Sequence, residues 1–269
     1  MRPSTVRLPG VRPALIVAHP GHELRLHGWL EIARPVVLVL TDGSGAAGRS
    51  RLPSTARVLA ATGATPGPLF GRLTDRALYG MILARDAGLA LRLVDEVGSA
   101  IVRHRVDYVV VDALEGYNPA HDLCHVLVSA AVRLARRAGV RATQLDFPLA
   151  AAPNASPSPR GSARLELDDA ALARKLAAAQ AYVGIGDEVD RALALYGTEA
   201  FRVERLRRLG EQPSAVPPED PPFYERYGGS QVADGQYAEV LRYREHFAPL
   251  AAAVWRSAAD EEPWAASAS

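Results

Sequence analysis

Along the first half of the chain, short continuous apolar runs alternate with longer stretches in which apolar residues recur at helical spacing. Ala14–Ala18 and Pro35–Leu40 are apolar runs of strand length, and Val106–Asp112 is a third, its Tyr-Val-Val-Val segment closed by an Asp. A strand apolar at every position suits a parallel sheet covered on both faces. Glu23–Ala33 has the length of a helix, and Pro53–Thr62 predicts a second one stopped by Gly63. Over Ala77–His104 the spacing of Leu89, Leu91, Leu93, Val94, Val97, Ile101 and Val102 predicts a loop near Gly88 followed by a helix. His121–Ala138 predicts a helix closed by Gly139, and Arg141–Phe147 a further strand.

Beyond that strand the Pro/Ser/Ala stretch Ala151–Ser162 reads as a loop, and Leu167–Tyr182 as an amphipathic helix capped by Asp168 or Asp169. A further helix is expected over about Glu199–Leu209, a proline-rich linker over Pro213–Pro222 and a last helix over Gly235–Arg256. No internal repeat is present. Strands alternating with helices predict an α/β chain with a Rossmann-like three-layer fold and a mostly parallel sheet. The expected organisation is one domain over residues 1–212, followed by a linker and a C-terminal helix, 213–269, that packs back on it.

Composition narrows the function classes. With 48% hydrophobic residues in 269, a full core is within reach. Lys and Arg total 31 against 30 Asp and Glu, so no overall field favours nucleic acid or an acidic polymer. The single cysteine, Cys124, excludes an internal disulfide framework and any cysteine-clustered metal site, which leaves His and carboxylates as ligands. The apolar runs are far shorter than a bilayer span, and Met1–Pro13 lacks the apolar core of a signal peptide, so a cytoplasmic protein is expected.

In parallel α/β sheets, ligands bind where strands end and turns begin. Two such places are rich in histidine: Ala18-His19-Pro20-Gly21-His22-Glu23 and Glu115-Gly116-Tyr117-Asn118-Pro119-Ala120-His121-Asp122. Five of the seven histidines, His19, His22, His27, His121 and His125, lie in or just after these segments. Neutral imidazoles with an open coordination position suit zinc. An ordinary turn is the plain alternative for His19 and His22. His125 suits a helix face or a place behind the ligands, and His27 a polar helix position beside Trp29. Asp112 either ends its strand or orients a ligand imidazole, as carboxylates behind metal-bound histidines do. Thr41-Asp42-Gly43-Ser44-Gly45 lacks the Lys-Ser/Thr ending of a phosphate-binding P-loop. Arg49 and Arg51 suit either a phosphate or sugar ligand or plain solvated surface.

These segments resemble the two signatures of the LmbE/PIG-L deacetylases, Ala-His-Pro-Asp-Asp-Glu after the first strand and His-Pro-Asp-His after a later one. Thr41-Asp42-Gly43, Glu115-Gly116, the helix of Lys175 with Tyr182, and the tail segments Pro222–Glu225, Gly235–Tyr237 and Arg242–His246 extend the resemblance over most of the chain. The resemblance implies a metal site of His19, His22 and His121, with His22 replacing the family's Asp. Gly21 stands where the family has its general base, and Asn118 where it has a second His. Asp42 and Asp122 are the candidate replacement bases, with Glu23 also near, and Asn118 is a candidate oxyanion donor.

Three functions follow. The first is a zinc-dependent hydrolase that removes an acyl group from an N-acylated sugar, glycoconjugate or related small molecule. The second is a non-hydrolytic, metal- or ligand-binding descendant of that fold. The third is iron(II) chemistry, which three imidazoles can also support. A homo-oligomer is compatible with each.

Overall fold

In the computed structural model the described residues are 11–45, 47–150, 152–153, 162–210, 216–235, 237–259, 264 and 266. They form a single seven-stranded sheet with helices on both faces, the three-layer α/β architecture that the sequence predicts. The strands are β1 (Pro13–Val17), β2 (Val36–Thr41), β3 (Thr65–Leu73), β4 (Tyr108–Asp112), β5 (Thr143–Phe147), β6 (Ala163–Glu166) and β7 (Val203–Arg208), in the order β3-β2-β1-β4-β5-β7-β6. The first five run parallel, and β7 joins antiparallel to both β5 and β6.

Period-two side-chain alternation divides the core. Ala14, Ile16, Leu38, Leu40, Val109 and Val111 face α4 (Ala87–Arg103), α5 (Pro119–Arg137) and α9 (Ala248–Ala259). Leu15, Val17, Val37, Val39 and Val110 face α1 (His27–Ala33) and α2 (Leu52–Thr62) through Trp29, Leu30, Val58 and Leu59. β1 is buried at every position and β4 at every position after Tyr108, which accounts for the apolar runs of both. Helix α9 lies on α4 and α5 and contributes Leu250 and Val254 to that core.

Several element boundaries differ from the sequence expectation, each for a physical reason. Strand β3 is disguised by Pro66, Gly67, Pro68 and Gly71; it is an edge strand with two register shifts against β2, where a missing N–H costs little. Glu23–Ala33 divides into a tight 3₁₀ turn, His22–Leu26, and α1. The break before α4 is at Arg85–Asp86, two residues ahead of Gly88: Arg85 takes a left-handed conformation and Asp86 caps the Leu89 N–H. Before it, α3 (Asp75–Ala84) is capped by Thr74. Ala151–Ser162 and Pro213–Pro222 fall largely or partly outside the described residues.

The stretch Glu199–Leu209 is not a helix but a short 3₁₀ turn leading into β7. Its inward positions are Glu204 and Leu206, and a buried carboxylate in an inward strand position breaks the apolar alternation that marks a strand. Helix α6 (Asp169–Gln180) is capped by Asp168, and α7 (Gly186–Tyr196) follows it. In place of one helix over Gly235–Arg256, α8 (Phe223–Ala233) ends before Gly235, which has φ 69°; a wide turn, Tyr243–Phe247, then leads into α9. Among the described residues no helix is long and apolar enough to cross a membrane.

Candidate metal centre

Strand order sets the location. The chain moves outward from β1 through β2 to β3 and then crosses back to place β4 on the other side of β1. The loops after β1 and β4 therefore leave the sheet in diverging directions and open a crevice at its carboxyl end. His19 and His22 follow β1, and His121 lies in the first turn of α5 just after β4.

The three rings meet in that crevice. Ring centroids are 5.4 Å apart for His19 and His22, 5.3 Å for His19 and His121, and 4.4 Å for His22 and His121, all edge to face. Local structure explains the approach. Gly21, at φ 108°, makes the sharp turn that brings His22 back toward His19. Asn118 caps α5 by accepting the Ala120 N–H, and Pro119 starts the helix, so His121 sits in the first turn of a fixed N-terminus.

Two of the rings are held from behind by carboxylates. The Nδ1 of His19 lies 2.8 Å from the Thr41 hydroxyl and 3.0 Å from Asp75. Thr41 donates its own proton to the Ala18 carbonyl, so Nδ1–H of His19 is the donor in both contacts. The Nδ1 of His22 lies 3.0 Å from both oxygens of Asp112, which also accepts the Ala18 N–H. With Nδ1 so engaged, Nε2 is the nitrogen left to bind a ligand in both rings.

Burial pushes His22 and His121 well below the ordinary imidazole value, and the neighbouring imidazoles push them further, so both are neutral at pH 7. Burial raises Asp112 to about 7 against the Ala18 N–H and His19. Asp75 also feels burial, but its hydrogen bonds from His19 and the Gly45 N–H outweigh it and hold the carboxyl well below the usual range.

The donor chemistry fits a zinc ion. Neutral imidazoles with a carboxylate behind the far nitrogen are the usual ligands of that metal, and three of them on a tetrahedral ion at about 2.0–2.1 Å would hold their centroids roughly 5 Å apart. Among the described residues, however, no three donors already stand in a coordination arrangement. His22 and His121 stand closer than the roughly 5 Å of that tetrahedral arrangement.

The other sequence candidates have defined places. Asp42, half-buried at the end of β2, accepts the Ser44 N–H through Oδ1. Asp122 is fully buried, and its carboxylate accepts the N–H groups of Glu115 and Gly116; burial raises it to about 7. The Oδ1 of Asn118 also accepts the Tyr79 hydroxyl proton. His125 bonds the Asp112 carbonyl through Nδ1, and the buried Nδ1 of His27 has no partner among the described residues. Asp75 is absent from the sequence candidates because β3, the strand before it, is itself disguised; the Asp that follows Leu73-Thr74 is the available signal.

No protein-family model matches the sequence, and no curated protein is significantly similar to it. Among solved structures the chain is similar to the conserved protein TT1542 from Thermus thermophilus, with a TM-score of 0.52 and 20% identity over 77% of this chain and 98% of that one. It is similar to the A40926 pseudoaglycone deacetylase Dbv21, with a TM-score of 0.50 and 17% identity over 73% of this chain and 96% of that one. A deacetylase of teicoplanin biosynthesis gives a TM-score of 0.52 and 14% identity over 75% of this chain and all of that one. At these identities the likeness is one of fold: the chain has the three-layer α/β architecture on which these deacetylases are built.

Proposed function

We propose that this chain is a metal-dependent amide hydrolase of the LmbE/PIG-L type that removes an acyl group, acetyl in the simplest case, from the nitrogen of an amino sugar or related conjugate. The observation that carries the reading is the meeting of His19, His22 and His121 at the switch-point crevice, with Asp75 and Asp112 behind two of them. The fold shared with a pseudoaglycone deacetylase and a deacetylase of teicoplanin biosynthesis is in keeping with that reaction class.

His19, His22 and His121 would hold zinc through ring nitrogens. When bound, the ion supplies a Lewis acid for the amide carbonyl and lowers the pKa of a ligated water to about 7. Asp75 and Asp112 fix the tautomer and orientation of His19 and His22. Asp122, buried with both oxygens on backbone N–H groups, holds the turn before α5 and so positions His121. Asp42 is our choice for proton acceptor, because it ends the strand beside β1 and only its Oδ1 is engaged among the described residues. Asn118, with Oδ1 taken by Ala120 and Tyr79, keeps its amide N–H donors for a developing oxyanion.

A non-hydrolytic ligand-binding protein is the second reading, favoured by Gly21, which offers no proton acceptor at the family's base position. Metal content of protein purified without chelator, wild type against His19→Ala, His22→Ala and His121→Ala, separates the two. Near one zinc per chain, lost in each variant, followed by acetate release from N-acetylated sugars, supports the hydrolase. Iron in place of zinc turns the search toward oxygen-dependent chemistry. A wild type without metal, even after zinc is supplied, overturns the hydrolase reading.

A further inference from the structure

Beside the histidines lies a cavity of about 580 Å³, bounded by the loop between β2 and α2, the first turn of α2, and the chain from Val183 to Glu188. That volume suits a small metabolite. Arg49, Arg51 and Arg57 all line it, opposed by a single carboxylate, Glu188.

The rest of the molecule pairs many of its arginines. Arg174 is bound by Glu31, Arg202 by Glu199 and Arg207 by Asp146. With 30 acidic residues for 31 basic ones, neutralising partners are plentiful. Around the cavity they are withheld: Arg51 donates Nε–H to the Gly43 carbonyl at 2.7 Å and Arg57 donates to the Ser54 hydroxyl. Among the described residues none of the three guanidiniums stands within ion-pair distance of a carboxylate. The start of α2 adds positive potential from the same side, since its first turn holds no acidic residue and only the neutral Ser50 hydroxyl accepts its first N–H, from Leu52.

The cavity adjoins the proposed reaction centre. A Cβ at Gly43 would lie 2.7 Å from Arg51 Nε and 2.8 Å from Pro20 Cδ, so the loop carrying Arg51 is pressed against the turn that carries His19 and His22. Arg51 is half-buried there, with Gly184 against its side chain.

We propose that this cavity is an anion subsite, and that the substrate carries a phosphate or carboxylate next to its N-acyl group, held by Arg49, Arg51 and Arg57. Guanidinium forks match both oxyanions in a way that a neutral sugar hydroxyl does not exploit. The inference rests on the amide-hydrolase reading for the identity of the other half of the substrate, and its first test does not.

Inorganic phosphate and malonate are titrated calorimetrically into the full chain at low and high salt, with Arg49→Gln/Arg57→Gln as test variant and Arg226→Gln as remote control. Salt-sensitive binding of either anion, weakened at least ten-fold in the double variant and unchanged in the control, supports the subsite; which anion binds tells a phosphoryl from a carboxylate ligand. Binding of neither anion, or equal binding to all three proteins, overturns it. In turnover, the zinc-loaded protein is expected to favour N-acetylglucosamine 1-phosphate or N-acetylmuramic acid over N-acetylglucosamine by ten-fold or more in kcat/KM. That preference should shrink through KM in the double variant, and equal use of charged and neutral substrates overturns the proposal. No turnover with anion binding intact defeats the hydrolase and leaves the anion subsite standing.

Discussion

At the residue scale the arrangement turns on which atom of each side chain is already committed. His19 and His22 have Nδ1 tied to Asp75 and Asp112, so the ligand nitrogen of each is chosen before any ion arrives. Asp75→Asn is expected to weaken zinc binding by about 10- to 100-fold with the fold intact, because an amide accepts less strongly from Nδ1–H and can present the wrong group to it. Competition with a chromophoric chelator, together with circular dichroism, would measure this; unchanged affinity would remove Asp75 from the site. Asp122 carries a pH signature. Its folded value of about 7 lies above the ordinary 3.8, so the native state holds the proton more tightly and its contribution to stability is lost as pH rises from about 4 to 7. Relative to wild type, Asp122→Asn should gain stability over that window in urea denaturation. A constant difference between the two proteins across it would count against a buried, perturbed carboxyl.

At the scale of elements, a buried ion pair joins the antiparallel end of the sheet to the helix beneath the centre. Glu204 on β7 accepts the N–H groups of Gly28 and Trp29 at the start of α1, and Lys175 on α6 reaches the same carboxylate at 2.9 Å. Lys175 also donates to the Arg25 carbonyl in the turn between His22 and α1. Three elements thus meet on one carboxylate a few residues from the proposed ligands. Glu204→Ala leaves a buried ammonium without its counter-charge and two backbone donors without an acceptor, which should cost about 3–5 kcal/mol. A loss below about 1 kcal/mol in urea denaturation would show that water replaces the carboxylate. This pair also explains why the sequence of β7 reads as a helix: residue type marks Glu204 as polar, and only its partners, 29 and 176 residues away, make the position internal.

At the scale of the molecule, stability should follow the sheet order. β1 and β4 lie at its centre with both faces buried, whereas β3 and β6 are its edges and are largely open to solvent. Amide hydrogen exchange is therefore expected to be slowest in β1 and β4 and much faster in β6 and β3. Equal protection throughout would contradict the layered core. Slow exchange in β1 and β4 would also root the segments that carry the proposed ligands in the most rigid strands, which suits a centre whose rings must keep their spacing.

Residue type and local spacing decided much of this protein on their own. Unbroken apolar runs made β1, β2 and β4 legible, because a strand buried on both faces has no polar position to hide. The two histidine-bearing turns followed from the same strands. What lay beyond the sequence depended on partners distant along the chain. Asp75 became visible only when an edge strand rich in Pro and Gly was seen to end beside His19; Asp112 was already a candidate behind a ligand imidazole, but that the imidazole is His22 was decided only when β1 and β4 were paired. The chain order shows that His19, His22 and His121 end up near strands, but the crossing from β3 back to β4 is what turns a separation of about a hundred residues into ring contact. Local chemistry names the groups; the order of strands decides which of them meet.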